Sequence, residues 1–163
     1  MRFVIQQHAA RTMHYDFRLQ VGRVLKSWAV PKGLSTDPRE KRLAVEVDDH
    51  SLGYAKFEGR IGSGYGAGRV IVWDAGTWRS LTDGSVKDAL QAGHLSFWLE
   101  GKKLRGGWTL QRTGGGAKPQ WLIIKRRDEG AGHTPPEAVG PTRRNPVSTQ
   151  PRSVRSGRTI DEI

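Results

Sequence analysis

The sequence predicts a mainly β protein: a compact closed or nearly closed β-barrel with one short helix and a disordered C-terminal tail. Short runs rich in Val, Ile, Trp and Phe alternate apolar and polar residues with a period of two. Clusters of Gly, Pro, Asp or Asn separate these runs. Closely spaced strands with little helix are typical of a barrel or a compact sandwich.

Nine runs have the length and alternation of strands, and one segment has those of a helix. In "SVKDALQAG", residues 85–93, Ser85 is placed to cap the helix, Asp88 follows three residues later, and Gly93 ends it. The predicted strands are 2–7, 14–20, 23–30, 41–48, 69–73, 76–80, 94–100, 106–112 and 120–125.

The composition changes after the last predicted strand. Every aromatic residue lies at or before Trp121, whereas five of the eight prolines lie at or after Pro135. A segment with so little apolar content cannot offset its ordering entropy by burial. We therefore expect a barrel domain over residues 1–125 and a disordered tail or linker over 126–163.

Charge and composition restrict the class of function. The chain has no cysteine, so disulfides, thiolate ligands and cysteine nucleophiles are excluded. A formal net charge of +11 indicates a polyanionic partner, with nucleic acid favoured over an acidic membrane surface because no basic amphipathic helix is evident. No apolar run has the roughly 18 residues of a membrane span, and the N-terminus lacks the apolar core of a secretory signal, so we expect a cytoplasmic protein.

The stretch "HAARTMHYDFRL" combines imidazole, carboxylate and guanidinium groups. On a strand, His14, Asp16 and Arg18 share one face, while Tyr15, Phe17 and Leu19 point into the core. A turn through "AARTM" would return His8 to the side of His14 and Asp16. Two imidazoles and a carboxylate suit Mn²⁺, Fe²⁺ or Zn²⁺ and leave positions open for water or substrate, although a solvated strand face remains the alternative. Arg18 would then be placed to grip an anionic oxygen in a bidentate fashion.

A second polar strand follows in "KRLAVEVDDH". Alternation points Leu43, Val45 and Val47 inward, with Ala44, Glu46 and Asp48 facing away. Arg42 and His50 are then expected on one side, with Tyr54 just beyond. Taken singly, Arg42 is better explained as an exposed charge on the sheet and His50 as a turn residue.

Three long motifs together resemble the 3′-phosphoesterase domain of bacterial DNA ligase D. They are "FVIQQHAARTMHYDFRLQ", "LKSWAVPKGLSTDPREKRLAVEVDDHSLGYAKFEG" and "YGAGRVIVWDAGTW", and the similarity continues through "LRGGWTLQRT" and "WLIIKRRDE". The terminal "RSVRSGRTIDEI" is similar to the linker that leads towards the ligase domain in fused enzymes. The resemblance covers residue 2 to about residue 125.

This resemblance implies a compact barrel that uses Mn²⁺, with Co²⁺ or Zn²⁺ as other possible metals. It implies metal ligands at His8, His14 and Asp16, and phosphate-binding groups at Arg18, Arg42, His50 and Tyr54. Gln6 matches a further, supporting active-site position. The implied substrates are DNA or RNA–DNA primer–template 3′ ends, from which a phosphate, and in some members a terminal ribonucleoside, is removed during non-homologous end joining.

The implied partners are the ligase, polymerase and Ku proteins of end joining, and the expected oligomeric state is a monomer. Two departures from the family pattern affect the expectations. The family's upstream arm, which assists ribonucleoside removal, has no counterpart here before Met1, which leaves phosphate removal as the firmer expectation. The family's glycine-rich turn appears as "IGSGYGAG", one residue short and without its proline, so we expect altered loop geometry with the metal ligands retained.

Two rival functions are compatible with parts of the pattern. A two-histidine, one-carboxylate iron oxygenase would use the same ligand types, but it does not explain the predicted phosphate-binding groups. A non-catalytic module that binds DNA or a protein partner, with a structural metal, is the other alternative.

Overall fold

The computed structural model describes residues 1–62, 67–127 and 146–163. Nine strands and two short α-helices occur in this part of the chain. The strands are β1 Arg2–Ala9, β2 Met13–Val21, β3 Val24–Val30, β4 Lys41–Ser51, β5 Gly59–Ile61, β6 Gly68–Ser80, β7 His94–Gly101, β8 Arg105–Gly114 and β9 Gln120–Lys125. The helices are α1 Val86–Ala92 and α2 Pro146–Thr149, and a 3₁₀ helix spans Leu52–Lys56.

The strands form one antiparallel sheet in the order β1-β2-β3-β4-β9-β8-β7-β6-β5, and an additional pairing of β1 with β6 closes it. Eight strands therefore make a closed barrel, with β5 attached beside β6. The predicted barrel is confirmed. The predicted strands 69–73 and 76–80 are one strand, β6, because a register irregularity opposite Ile5 and Gln6 bends it without interrupting its pairing.

Large aromatic side chains fill the barrel interior. Trp28, Trp108 and Trp121 are buried completely or nearly so. Tyr15, Phe17 and Leu19 face this interior, as their alternation predicted. The opposite face of β2 is therefore the outer face of the barrel.

The predicted orientation of β4 is wrong. Leu43 is 41% exposed, whereas Ala44, predicted to face away, is fully buried in the core. Ala44 pairs with the core residue Trp121, and Leu43 pairs with Leu122 on the outer face. Alternation showed that the two sets lie on opposite faces, but the larger apolar side chains are on the outside and the small Ala44 lies opposite Trp121 in the core.

Helix α1 is confirmed within a residue at each end. Ser85 Oγ accepts a hydrogen bond from Asp88 N, and Gly93 ends the helix in the left-handed conformation that glycine adopts readily. No helix in the described ranges has the length and apolar character needed to cross a membrane.

Residues 146–163 lie against the barrel, so the prediction of a disordered tail is wrong for this segment. Trp73 Nε1 donates to Gln150 O at 2.7 Å, and Val154 N donates to Val72 O at 2.9 Å. Ile160 is 6% exposed. Backbone hydrogen bonds and a few apolar anchors order the segment on a surface that the barrel supplies, so it needs no core of its own. Residues 128–145, the rest of the predicted tail, lie outside the described residues.

Candidate metal and phosphate site

The first hairpin brings His8, His14 and Asp16 together on the outer face. His8 and His14 are directly opposite each other in the β1–β2 pairing, and Asp16 is opposite Gln6. His8 Nδ1 lies 3.4 Å from Asp16 Oδ2, and His14 Nε2 lies 3.1 Å from Asp16 Oδ1. One ligand atom from each of the three residues can be chosen so that all lie within 4.8 Å of one another. The predicted proximity of His8 is confirmed.

The ionisation of Asp16 suits a divalent cation. Burial alone would raise the pKa of Asp16, but hydrogen bonds from His14 and His8 and the charge of Arg18 outweigh it and hold the pKa well below its ordinary value. The carboxylate is therefore ionised at neutral pH. His14 Nδ1 lies 3.3 Å from Thr12 O and can donate its N–H to this carbonyl, so Nε2, which faces Asp16 Oδ1, is the ligand atom once it has lost its proton. The donor set fits a metal that prefers nitrogen and oxygen ligands.

Arg18 is adjacent to this triad but is held almost entirely by protein groups. Its Nε donates to Gln6 Oε1 at 2.7 Å, and its Nη1 donates to Ser27 Oγ at 2.8 Å and contacts His50 Nδ1 at 3.1 Å. Its Nη2 lies 3.5 Å from Asp16 Oδ2. Because only 4% of the side chain is exposed, Arg18 supplies positive charge from beneath the site, and its fork is not free for bidentate binding of a ligand.

Gln6 connects Arg18 to the 3₁₀ helix. Its side chain is fully buried, and its Nε2 donates to Tyr54 O at 2.9 Å and to Phe57 O at 3.1 Å. With Oε1 accepting from Arg18, every hydrogen-bonding group of this amide except one acceptor position has a partner. Gln6 thus fixes both Arg18 and the segment that carries Tyr54, which agrees with the supporting place that the resemblance implied.

A β-bulge brings His50 to the same face as Arg18. In the β3–β4 pairing, Ser27 is opposite Val47 but Leu25 is opposite His50, so β4 has one extra residue between these pairs. Strict alternation from Val47 would have placed His50 on the inner face. The bulge reverses this, and His50 reaches Arg18.

Burial and the charge of Arg18 together favour a neutral His50. Nδ1 of His50 lies 3.1 Å from Arg18 Nη1 and 3.0 Å from Asp48 O. The Arg18 N–H favours a ring without a proton on Nδ1, whereas the Asp48 carbonyl favours a ring with one. Burial and the positive charge of Arg18 lower the pKa of His50 below its ordinary value. A neutral ring that accepts from Arg18 at Nδ1 carries its proton on Nε2. His50 therefore offers a neutral N–H donor.

Tyr54 covers Arg18 and His50. Its ring centroid lies 4.8 Å from that of His50, and Arg18 Cζ lies 5.0 Å from the centre of the ring. Phe57 stacks on its other side at 5.1 Å. Burial raises the pKa of Tyr54, so its hydroxyl stays a neutral donor.

The structure does not bring Arg42 into this cluster, and the expected projection of Arg42 beside His50 is wrong. Arg42 pairs with the core residue Ile123, on the face of β4 opposite to Val45. Its Nη2 lies 3.6 Å from Glu40 Oε2, and Glu40 also accepts from Ser35 Oγ. Arg42 therefore lies with the polar groups of the segment between β3 and β4.

Sequence reasoning missed Ser27, although "LKSWAV" contained a signal for it. Ser27 is fully buried, and alternation places it on the opposite face to Trp28. A buried hydroxyl requires a partner, and the pairing of Ser27 with Arg18 supplies one. The bulge that moves His50 to the outer face could not be predicted from the sequence, because one extra residue leaves the apolar pattern of β4 unchanged.

The chain is similar in sequence to known proteins. The family model described as the DNA Ligase D 3′-phosphoesterase domain matches residues 6–112. The chain is 49% identical over 162 residues to the multifunctional non-homologous end joining protein LigD of Pseudomonas aeruginosa, covering 98% of this chain and 18% of that protein. It is 44% identical over 128 residues to the corresponding DNA repair protein of Mycobacterium tuberculosis, covering 78% of this chain and 16% of that one.

A third relative, the LigD protein of Mycolicibacterium smegmatis, is 39% identical over 134 residues, covering 17% of its length. The chain thus spans less than a fifth of the length of each of these multifunctional relatives. The family model covers most of the barrel, including the metal triad, Arg18 and His50. By these matches, the chain belongs to the family of DNA ligase D 3′-phosphoesterase domains.

Proposed function

We propose that the protein is a Mn²⁺-dependent phosphoesterase that removes a 3′-phosphate from DNA or RNA–DNA primer–template ends during non-homologous end joining. One observation carries the proposal: the His8, His14 and Asp16 triad lies directly beside the buried charge of Arg18 and the neutral donor of His50. A cation site adjoining fixed donors suits a phosphate ester, whose charge must be stabilised on several oxygens at once. Removal of a 3′-terminal ribonucleoside is a second activity that the same site would support.

His8, His14 and Asp16 would hold the metal. A bound Mn²⁺ supplies Lewis acidity towards a phosphate oxygen and lowers the pKa of coordinated water. Co²⁺ and Zn²⁺ accept the same ligand types. Asp16 has a second task, because its carboxylate also lies beside Arg18 and keeps that charge paired when no substrate is bound.

The remaining groups act on the oxygens of the phosphate. His50, held at Nδ1 by Arg18, directs its Nε2–H away from that contact and donates it to a phosphate oxygen. Tyr54 adds a neutral hydroxyl donor, and Arg18 stabilises the developing negative charge through space. Arg42 is assigned no contact with the phosphate, since its side chain lies on the other face of β4.

The expected setting is that of bacterial end joining. The relatives are end-joining proteins, and the family resemblance implies a ligase, a polymerase or Ku proteins at the same DNA ends, so we propose these as partners of a monomeric domain in the cytoplasm. The net charge of +11 is consistent with a nucleic-acid substrate.

The test is release of inorganic phosphate from a primer–template with a 3′-phosphate, measured with Mn²⁺, Co²⁺, Zn²⁺ and no metal. We expect release that depends on the metal, and we expect His14→Ala to lower it by at least about 100-fold, because a ligand of the cation is lost. His94→Ala is the matched control, since His94 is an exposed histidine at the start of β7.

No release with any of the three metals from a folded protein would overturn the catalytic proposal and favour a binding module with a structural cation. Full activity of His14→Ala would refute the ligand assignment alone. A parallel primer that ends in a single ribonucleotide tests the second activity.

A further inference from the structure

A pocket beside His50 is not used by the proposed chemistry. It has a volume of about 280 Å³ and is lined by Arg2, Gln20, Leu25, Leu52 and Ala55. Arg2 and Gln20 come from β1 and β2, Leu25 from β3, and the last two from the 3₁₀ helix that carries Tyr54. The pocket thus combines one cation, one amide and three apolar side chains.

The floor of the pocket is continuous with the phosphate-binding groups. Gln20 is opposite Leu25 in the β2–β3 pairing, and Leu25 is opposite His50 in the β3–β4 pairing. Gln20 also follows Arg18 by two residues on the same face, a step of about 6.6 Å along the strand. A phosphate held at His50 therefore has this pocket as its neighbour along β2, on the side away from the metal triad.

The chemistry of the lining fits a nucleoside. Leu52, which is 38% exposed, offers apolar surface that suits the face of a base or a sugar, and the buried Leu25 lines the pocket beneath it. Gln20 Oε1 accepts from Arg2 N at 2.9 Å, while its Nε2 has a long contact of 3.4 Å with Gly22 O and can turn to an acceptor on a ligand. The guanidinium of Arg2 adds positive charge where the next phosphate of a strand would lie.

We propose that this pocket binds the nucleoside that carries the 3′-phosphate, and that Leu52 and Ala55 form its outer wall. The proposal rests on the proposed function, because it assumes that the phosphate itself is bound at His50. It predicts that the site distinguishes a nucleotide end from a bare phosphate ester. The mixture of apolar surface and one amide predicts little preference among the four bases.

The experiment follows methyl signals of Leu25, Leu52 and Ala55 and the ring signals of His50 by NMR in the full chain. The ligands are inorganic phosphate, thymidine and thymidine 3′-monophosphate. We expect phosphate to shift His50 alone, thymidine to shift the three methyl groups, and the nucleotide to shift all four residues.

The matched variants are Leu52→Trp, which fills the pocket, and Leu81→Trp, a control at another leucine with similar exposure, 36% against 38%. Leu52→Trp should weaken binding of the nucleotide by about tenfold, corresponding to 1.4 kcal/mol, and leave phosphate binding unchanged. The Leu81→Trp protein should match the parent protein for both ligands.

The outcomes separate the two proposals. If the nucleotide shifts His50 but not the methyl groups, or if Leu52→Trp leaves nucleotide affinity within twofold, the pocket assignment is overturned and the phosphate site stands. If thymidine and the nucleotide shift the methyl groups while neither inorganic phosphate nor the nucleotide shifts the His50 signals, the pocket stands and the phosphate assignment falls. An equal loss of affinity for phosphate and nucleotide in Leu52→Trp also contradicts the pocket.

Discussion

At the scale of single residues, Arg18 determines the electrostatics of the site. It is a buried cation with one carboxylate beside it and three neutral partners, Gln6, Ser27 and His50. A buried charge is tolerated only when its hydrogen-bonding groups are occupied. Arg18 is therefore as much a part of the local structure as of the reaction, and its effect on neighbouring groups can be measured directly.

The pKa of His50 provides one such measurement. Burial and the charge of Arg18 hold it below its ordinary value of 6.5. We expect Arg18→Met to raise it towards that value, since a positive neighbour is removed while apolar volume is kept. An NMR titration of the His50 ring signals measures this pKa in the parent protein and in Arg18→Met. Arg23→Met, at the exposed β2–β3 turn, is the control. An unchanged pKa in Arg18→Met would show that Arg18 does not set the protonation of His50.

Asp16 stabilises the metal-free fold in a way that depends on pH. Its hydrogen bond raises the pKa of His14 above 6.5, so the His14 contribution is fully present below that pH and is lost as pH rises through the folded pKa. The lowered pKa of Asp16 adds stability above 3.8 that is lost only in stronger acid. With a chelator present, Asp16→Asn should cost about 3 kcal/mol, because it leaves a buried cation without its anion.

This cost should be larger at about pH 5.5 than at about pH 8.5, since the protonated fraction of His14 falls as the pH rises through its raised pKa. Urea unfolding at the two pH values measures it. Asp83→Asn is the control, because Asp83 is an exposed residue between β6 and α1. A cost that is equal at both pH values would mean that His14 and Asp16 are not coupled.

The metal triad could be predicted from sequence, but the second set of groups could be predicted only in part. His14, Asp16 and Arg18 occupy alternate positions on one regular strand, so their common face followed from the period alone. Arg42 and His50 are separated by a bulge, and counting positions across it assigns the wrong face to one of them. The resemblance supplied residue types at these positions and could not correct the geometry.

At the scale of secondary-structure elements, the β6–β7 pairing depends on a close approach of two backbones. A Cβ added to Gly76 would lie 1.9 Å from Glu100 O, a distance that no side-chain adjustment can relieve. Gly76→Ala should therefore lower the free energy of unfolding by at least about 3 kcal/mol. Gly115→Ala, where nothing lies within 4 Å of the added atom, should change it by less than about 1 kcal/mol.

Chemical denaturation of the two variants measures the difference. Similar stabilities would show that β6 and β7 can separate locally without loss of the barrel. Gly76→Ala should lower the denaturant concentration at the midpoint of unfolding. It should leave the slope of the unfolding free energy against denaturant unchanged, because the surface exposed on unfolding is the same.

The segment 146–163 shows why composition alone did not predict its order. Ser153 Oγ donates to Glu58 Oε1, and Glu58 Oε1 also accepts from Val72 N at 2.9 Å. Lys103 Nζ donates to Gln150 O at 2.9 Å and lies 4.3 Å from the centre of the Trp73 ring. These partners come from distant parts of the chain, and a compositional argument considers only what a segment can bury by itself.

At the scale of the whole molecule, the excess of positive charge predicts how the affinity for DNA depends on salt concentration. The formal net charge of +11 should make the affinity for a primer–template fall steeply with salt, with a slope of about −0.9 for each phosphate neutralised on duplex DNA. Fluorescence anisotropy with His14→Ala, in which turnover is expected to be slow, measures the slope. A strand with a neutral backbone is the control, and a flat salt dependence with DNA would show that the charge serves another partner.

The fold class followed from sequence because strand spacing, alternation and one capped helix all agreed. Closure was predicted only at the level of a closed or nearly closed barrel, because nothing local in β1 or β6 specifies that these two strands pair. The short strand β5 was also missed. Its three residues, Gly59–Ile61, are too few for alternation to be visible.

The pairing of β1 with β6 joins residues 2–9 to residues 69–77. By contrast, the hairpin that carries His8, His14 and Asp16 joins neighbours separated by a few residues. Local hairpins form within about 1–10 μs, whereas contacts between distant segments slow the folding of all-β proteins to milliseconds or seconds. We therefore expect the metal ligands to meet early in folding, on a hairpin whose outer edge stays open until β6 arrives to cover it.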